Sequence, residues 1–227
     1  MTHNRAGGQL FQLSEFVVDS ELPFDFAHTP PARVGPSDRP RADLRIELGP
    51  TPERLAAPSC SARQWQLEHD RRLLLTAPGI GRFLLERDGA VRIEPFCEPD
   101  RVELRLYFLG TVFAAWLAMQ GFVPLHAGAV ATGRGATLIC GRSGAGKSTT
   151  MALLARAGRP VLAEDLSILN IGEAVEILAF SGQVKLDAKA VEALGLDSAG
   201  RPVIGALRGK HAVPIPRTTG RRPVTQA

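Results

Sequence analysis

The sequence predicts an α/β fold in its second half, preceded by a small, mixed, β-rich module. Three observations predict it. A run of short alternating segments fills much of the first 100 residues. Near residue 100 the pattern changes to one long apolar segment of helical character. After it, an apolar strand runs into a glycine-rich loop, a helical pattern and a second apolar strand, over residues 136–165. The expected domains are therefore 1–100, the β-rich module, and 101–227, the α/β domain.

Taken in order, residues 1–28 hold short apolar patches, Phe16-Val17-Val18 and then Phe24 and Phe26. Residues 29–41, TPPARVGPSDRPR, predict a loop or linker. ADLRIEL (42–48) alternates like a half-buried strand, and GPTPERLAAPSCSA (49–62) is a break. RQWQLEHD (63–70), RLLLTA (72–77), GRFLLERDG (81–89) and AVRIEPF (90–96) predict short strands. Asp88-Gly89 predicts the hairpin turn between the last two. No chemistry stands out here, and His3, His28 and His69 are scattered.

VELRLYFLGTVFAAWLAMQ (102–120) suits a buried helix. The stretch from Leu106 to Leu125 carries no charge, yet Gly110, Gln120, Gly121 and Pro124 interrupt it, so a core helix followed by a turn is expected rather than a membrane span. LHAGAVA (125–131) and ATLIC (136–140) predict two strands joined by the tight turn TGRG, and STTMALLARAG (148–158) a helix capped by Gly158. RPVLAED (159–165), LSILNI (166–171), VEILAF (175–180) and GQVKLD (182–187) predict strands, and AKAVEALG (188–195) a short helix.

Composition excludes little but narrows the setting. Hydrophobic residues make up 44% and charged residues 22% of the 227, as in ordinary globular domains. The net charge of +4 is mild, so solvated surface arginines are expected and no nucleic-acid partner. No acidic residue follows Asp197, whereas Arg201, Arg208, Lys210, Arg217, Arg221 and Arg222 do. Cys60, Cys97 and Cys140 are widely spaced, which fits neither a disulfide framework nor a zinc site and suits a reducing cytoplasm. The N-terminus lacks the apolar core of a signal peptide.

Gly141, Arg142, Ser143, Gly144, Ala145, Gly146, Lys147 and Ser148 match GxxxxGK[ST] at every fixed position, with Thr149 next. Glycines let a backbone wrap closely and turn its N–H groups toward phosphate oxygens, and a following helix adds its positive dipole end. Lys147 would reach β- and γ-phosphates, and Ser148 would ligate Mg²⁺. ATP and Mg²⁺ are thus the expected ligands. Glu164-Asp165, at the end of the strand PVLA, supplies two carboxylates, one suited to the metal and one to taking a proton from an attacking hydroxyl. Asp165 with Ser148 is the expected metal pair; which acid is the base stays open. His126, in LHAGAV, is a further candidate.

The run PLHAGAVATGRGATLICGRSGAGKSTTMALLARAGRPVLAEDLSIL (124–169) resembles the catalytic domain of HPr kinase/phosphorylase, and more closely the HPr-kinase-like serine kinases of bacterial peptide-modification gene clusters. The shared features are a histidine-bearing strand before the loop, the GxSGxGKS form of the loop, and the tandem acidic pair. The resemblance extends loosely back through GRFLLERDGAVRIEP and RLYFLGTVFAAWLAMQG and is weak over residues 1–70. It implies the P-loop nucleotide-binding fold of HPr kinase and PEP-carboxykinase type, and an ATP- and Mg²⁺-dependent kinase acting on a serine of a small protein or peptide. It implies that Lys147, Glu164, Asp165 and His126 are catalytic, where Glu164 stands in place of the family's first Asp. Relatives form hexamers, so a homo-oligomer is an allowed state.

Two departures shape the expectation. The bifunctional members carry an EIRGLGI-like segment with a further metal-binding Glu; SGQVKL occupies the comparable region here, so phosphorylase activity is not expected. Relatives continue past the stretch matching GKHAVPI (209–215) with a basic catalytic segment, so a shortened C-terminus is expected, with Arg208 or Lys210 as the replacement cation. Two other readings stand beside the kinase: an ATP-binding regulatory module that has lost transfer, and a simple P-loop NTPase. A transporter-type ATPase lacks support because SGQ (181–183) lies too close to the loop to be an LSGGQ signature.

Overall fold

Residues 9–24, 42–69, 72–133, 135–196, 203–204 and 209–224 are described by a computed structural model. The linker stretch 29–41, His3, His28, Asp197, Arg201 and Arg208 lie outside them. The described residues divide into two compact units, one of residues up to Gln120 and one of residues from Gly121 onward. The boundary thus falls after the long apolar helix rather than before it.

The first unit is built on one eight-stranded sheet. Its strands are β1 (Gln9–Leu13), β2 (Phe16–Ser20), β3 (Leu44–Leu48), β4 (Cys60–Ala62), β5 (Trp65–Glu68), β6 (Arg72–Ala77), β7 (Gly81–Glu86) and β8 (Ala90–Pro95), in the order β1-β2-β3-β8-β7-β6-β5-β4. Alternation places Phe16, Val18 and Ser20 of β2 inward, as a one-sided sheet requires. The turn at Asp88-Gly89 joins antiparallel β7 and β8, with Gly89 at φ 89° and the Asp88 carboxylate accepting from the Ala90 amide.

The apolar segment follows as α1 (Val102–Tyr107), a π turn (Phe108–Val112) and α2 (Phe113–Met119). By length and composition the 18-residue helix Val102–Met119, mean hydropathy 1.4, is long and apolar enough to cross a membrane. In this unit it lies against aromatic residues of the N-terminal segment: Phe16 of β2 meets Phe113 and Trp116 edge-on, and Phe24, beyond β2, meets Phe108. The π turn has a local reason. Residues five apart diverge by about 140° on a regular α-helix, yet Phe108 and Phe113 are both fully buried. The wider turn, in which the Phe113 amide donates to the Phe108 carbonyl, brings them onto one face. Each such buried aromatic contributes roughly 1.5–3 kcal/mol.

The described residues of the second unit form three smaller sheets. One is β11 (Gly135–Ile139), β10 (Gly128–Thr132) and β12 (Val161–Ala163), with β10 in the middle. A second is ordered β18 (Arg221–Pro223), β14 (Val175–Leu178), β13 (Ser167–Ile171), β9 (Val123–Leu125). The third is β15 (Gln183–Asp187), β17 (Lys210–Pro214), β16 (Val203–Ile204). Among the described residues two helices accompany them, α3 (Lys147–Arg156) and α4 (Ala188–Ala193). Gly158, at φ 73°, ends α3 as expected, and the Asp187 carboxylate caps α4 by accepting from the Ala190 amide.

This architecture corrects the expected fold class. Strand makes up 43% and helix 18% of the described residues, in several sheets, so the fold is mostly β and not an α/β P-loop fold. The reason lies in the connections. Parallel neighbours need a long crossover, whereas short links make antiparallel pairs. Thr132 pairs with Gly135 across a tight turn, and Ile171 with Val175 across another. Within the second unit, β11–α3–β12 is a strand–helix–strand crossover, and antiparallel β10 separates its two strands.

Candidate functional site

Strand direction brings the singled-out residues to one edge. β11 and β12 both run antiparallel to β10, so their C-terminal ends and the N-terminal end of β10 share a side. The glycine-rich loop leaves β11 there, Glu164-Asp165 follows β12, and His126 precedes β10. At the same side the chain changes sheets twice. It passes from β9 to β10 through His126-Ala127, and from β12 to β13 through Glu164-Asp165-Leu166. β9 pairs with β13, Leu125 opposite Ser167, so the two passages lie side by side.

Two hydrogen bonds shape the passages. The Ala127 amide donates to the Leu125 carbonyl at 2.9 Å, a three-residue turn centred on His126 that leaves its imidazole 63% exposed. The hydroxyl of fully buried Ser167 donates to the Ala127 carbonyl at 2.9 Å, tying one passage to the other.

The loop Gly141–Gly146 is exposed and enters α3 with Gly146 in the left-handed region, φ 82°. A side chain there would be strained, which is why this entry uses glycine. Lys147, buried to 9% exposure, folds back so that its ammonium donates to the carbonyls of Gly141 (2.8 Å) and Arg142 (3.3 Å). The close seat of α3 depends on Gly128: a Cβ at that position would come within 2.8 Å of Met151 Sδ.

The two acids are divided. Glu164 points inward, 6% exposed, and accepts the Ser148 hydroxyl at 2.5 Å. Asp165 points outward, 43% exposed, with Oδ1 at 3.1 Å from His126 Nδ1. Its Oδ2 accepts from the Lys185 ammonium at 3.1 Å, and the same ammonium lies 3.9 Å from Glu164 Oε2. Burial pushes the Glu164 carboxyl up despite Lys185 and Ser148. Burial acts the same way on Asp165, but Lys185, with His126 and Lys210, outweighs it and leaves that carboxyl below its usual range.

All four proposed catalytic side chains, Lys147, Glu164, Asp165 and His126, therefore lie around one edge, and Ser148 meets Glu164 rather than its expected metal partner Asp165. The sequence reading passed over Lys185. The only signal was its place in GQVKLD: Val184 and Leu186 on either side are buried, so Lys185 faces the other side of β15. Lys210, opposite Asp187 on β17, adds positive charge to both acids.

Among the described residues, no group of three or more His, Cys, Asp or Glu is arranged to hold a metal unaided. The hydroxyl of Ser148 and the carboxylate of Glu164 are hard oxygen donors already in contact. That set fits Mg²⁺, which keeps waters and takes further oxygens from a phosphate ligand. The three cysteines are free. No protein-family model, no curated protein and no solved structure matches the chain.

Proposed function

We propose that the second unit is an ATP- and Mg²⁺-dependent kinase that transfers the γ-phosphoryl group to a serine hydroxyl on a small protein or peptide, in a reducing cytoplasm. The observation that supports it best is the divided acid pair beside the glycine-rich loop: Glu164 on Ser148 and Asp165 on His126. The resemblance of residues 124–169 to HPr-kinase-like serine kinases supplies the choice of acceptor.

The roles follow from position. The Lys147 ammonium would exchange the carbonyls of Gly141 and Arg142 for β- and γ-phosphate oxygens. Ser148 and Glu164 would hold Mg²⁺, which would supply charge neutralisation at the phosphates. Asp165, ionised and exposed, accepts the serine proton as the serine oxygen bonds to the γ-phosphorus and the β–γ bridging bond breaks, with ADP as the leaving group. His126 holds Asp165 Oδ1 in place from the side open to the acceptor. Most of the rate enhancement comes from positioning and fixed charge.

Titration calorimetry with Mg·ATP, together with γ-labelled ATP and a serine-peptide library, tests this reading. Label on serine, and loss of binding in Lys147→Met, support it. Label released only as inorganic phosphate makes the protein an NTPase, and binding without label movement makes it a regulatory module.

A further inference from the structure

Every oxygen of the acid pair has a partner from the chain itself. Glu164 Oε1 takes the Ser148 hydroxyl and Asp165 Oδ1 faces His126 Nδ1, while Glu164 Oε2 and Asp165 Oδ2 share the Lys185 ammonium. Lys185 cannot drift far from this place. Its strand is laddered to β17, and the neighbouring Val184 and Leu186 pack in one core with Met151 and Ala152 of α3, the helix that carries Lys147 and Ser148. Lys210 adds a second cation nearby, and Lys147 a third across the loop.

We infer that Lys185 is the resting counter-ion of the Glu164–Asp165 pair, and that this site therefore takes up a divalent cation only together with a nucleotide. The inference rests on the kinase reading for the identity of the ligand. A bare divalent cation entering here meets carboxylates already neutralised by an ammonium held between them, and is repelled by it. A triphosphate reverses the balance. Its negative charge gives Lys185 and Lys147 a new partner, frees the carboxylate oxygens, and brings phosphate oxygens to complete the metal's coordination. A lysine does this where a metal-binding carboxylate would not, because it opposes metal until phosphate is present.

The test is a Mn²⁺ titration followed by electron paramagnetic resonance of the free ion, on wild type, Lys185→Met, Lys185→Gln and Lys185→Arg. It is run without nucleotide and again with a non-hydrolysable ATP analogue. Wild type and Lys185→Arg should bind bare Mn²⁺ weakly and gain about ten-fold or more in affinity with the analogue. Lys185→Met and Lys185→Gln should bind bare Mn²⁺ about ten-fold tighter than wild type. Two neutral side chains are used so that one misfolded variant does not decide the matter. Neutral variants that bind bare Mn²⁺ no tighter than wild type overturn the inference. Failure of wild type to bind the analogue would instead sink the kinase reading, while the nucleotide-free comparison still judges Lys185.

Discussion

His126 Nδ1 lies 3.1 Å from Asp165 Oδ1, and each residue occupies a point where the chain leaves one sheet for another. The pair is therefore made by two neighbouring changes of sheet, not by a single strand or helix. Ser167 holds those passages together through the Ala127 carbonyl. Ser167→Ala would leave that buried carbonyl without its partner and should cost about 1–3 kcal/mol of stability. Urea denaturation reads that loss. If His126 and Asp165 depend on the clamp, phosphate transfer should fall as well, with Mg·ATP affinity little changed; unchanged stability and transfer would show that the passages hold without it.

The seat of α3 gives a second prediction. A methyl at Gly128 meets Met151 Sδ and Cγ, and Met151 is fully buried, so it has little room to yield. Gly128→Ala should destabilise by about 1–3 kcal/mol through overpacking. It should also weaken nucleotide binding, because the same helix begins with Lys147 and Ser148. In Met151→Ala the added methyl has space, so the two changes should be strongly non-additive in a double-mutant cycle. Additive losses would place the strain elsewhere.

The raised Glu164 carboxyl has a consequence for pH dependence. A folded-state pKa above the unfolded value means that the folded protein favours the protonated acid. Its contribution to stability is present at low pH and is lost as pH rises through the folded value. Glu164→Gln removes that loss and keeps an oxygen to accept from Ser148. The variant's melting temperature should therefore gain on wild type as pH rises above the ordinary carboxylate range into neutrality. A difference that stays constant across pH 4 to 8, or reverses, contradicts the burial-driven shift. Asp165 has the opposite sign: with its folded value lowered, its stabilising contribution is lost as pH falls through that value.

Local features were legible in the sequence, and non-local ones were not. The Asp88-Gly89 turn and the Gly158 cap follow from the chemistry of a few adjacent residues. His126, Lys147 and the acid pair could be singled out because a motif spaces them along the chain. The fold class could not be read the same way. A strand–loop–helix at 135–156 is silent about which strands lie beside it, and the tight Thr132–Gly135 connection argued for an antiparallel neighbour. Lys185 was hidden for a related reason. A lysine on an alternating strand ordinarily faces water, and only the placement of β15 against α3 turns it toward the acids. The unequal fates of Glu164 and Asp165 also needed the structure, since the burial of one and exposure of the other depend on where the chain leaves β12.

The central claim is that Asp165, held by His126, takes the proton from an acceptor serine. The most direct measurement compares wild type with Asp165→Asn for transfer of label from γ-labelled ATP to the serine-peptide library, with Mg·ATP binding measured on the same samples. Wild type should label serine, and the variant should lose at least about 100-fold in transfer rate while binding Mg·ATP with similar affinity. Equal labelling by the two proteins, or no label on serine from wild type, would contradict it.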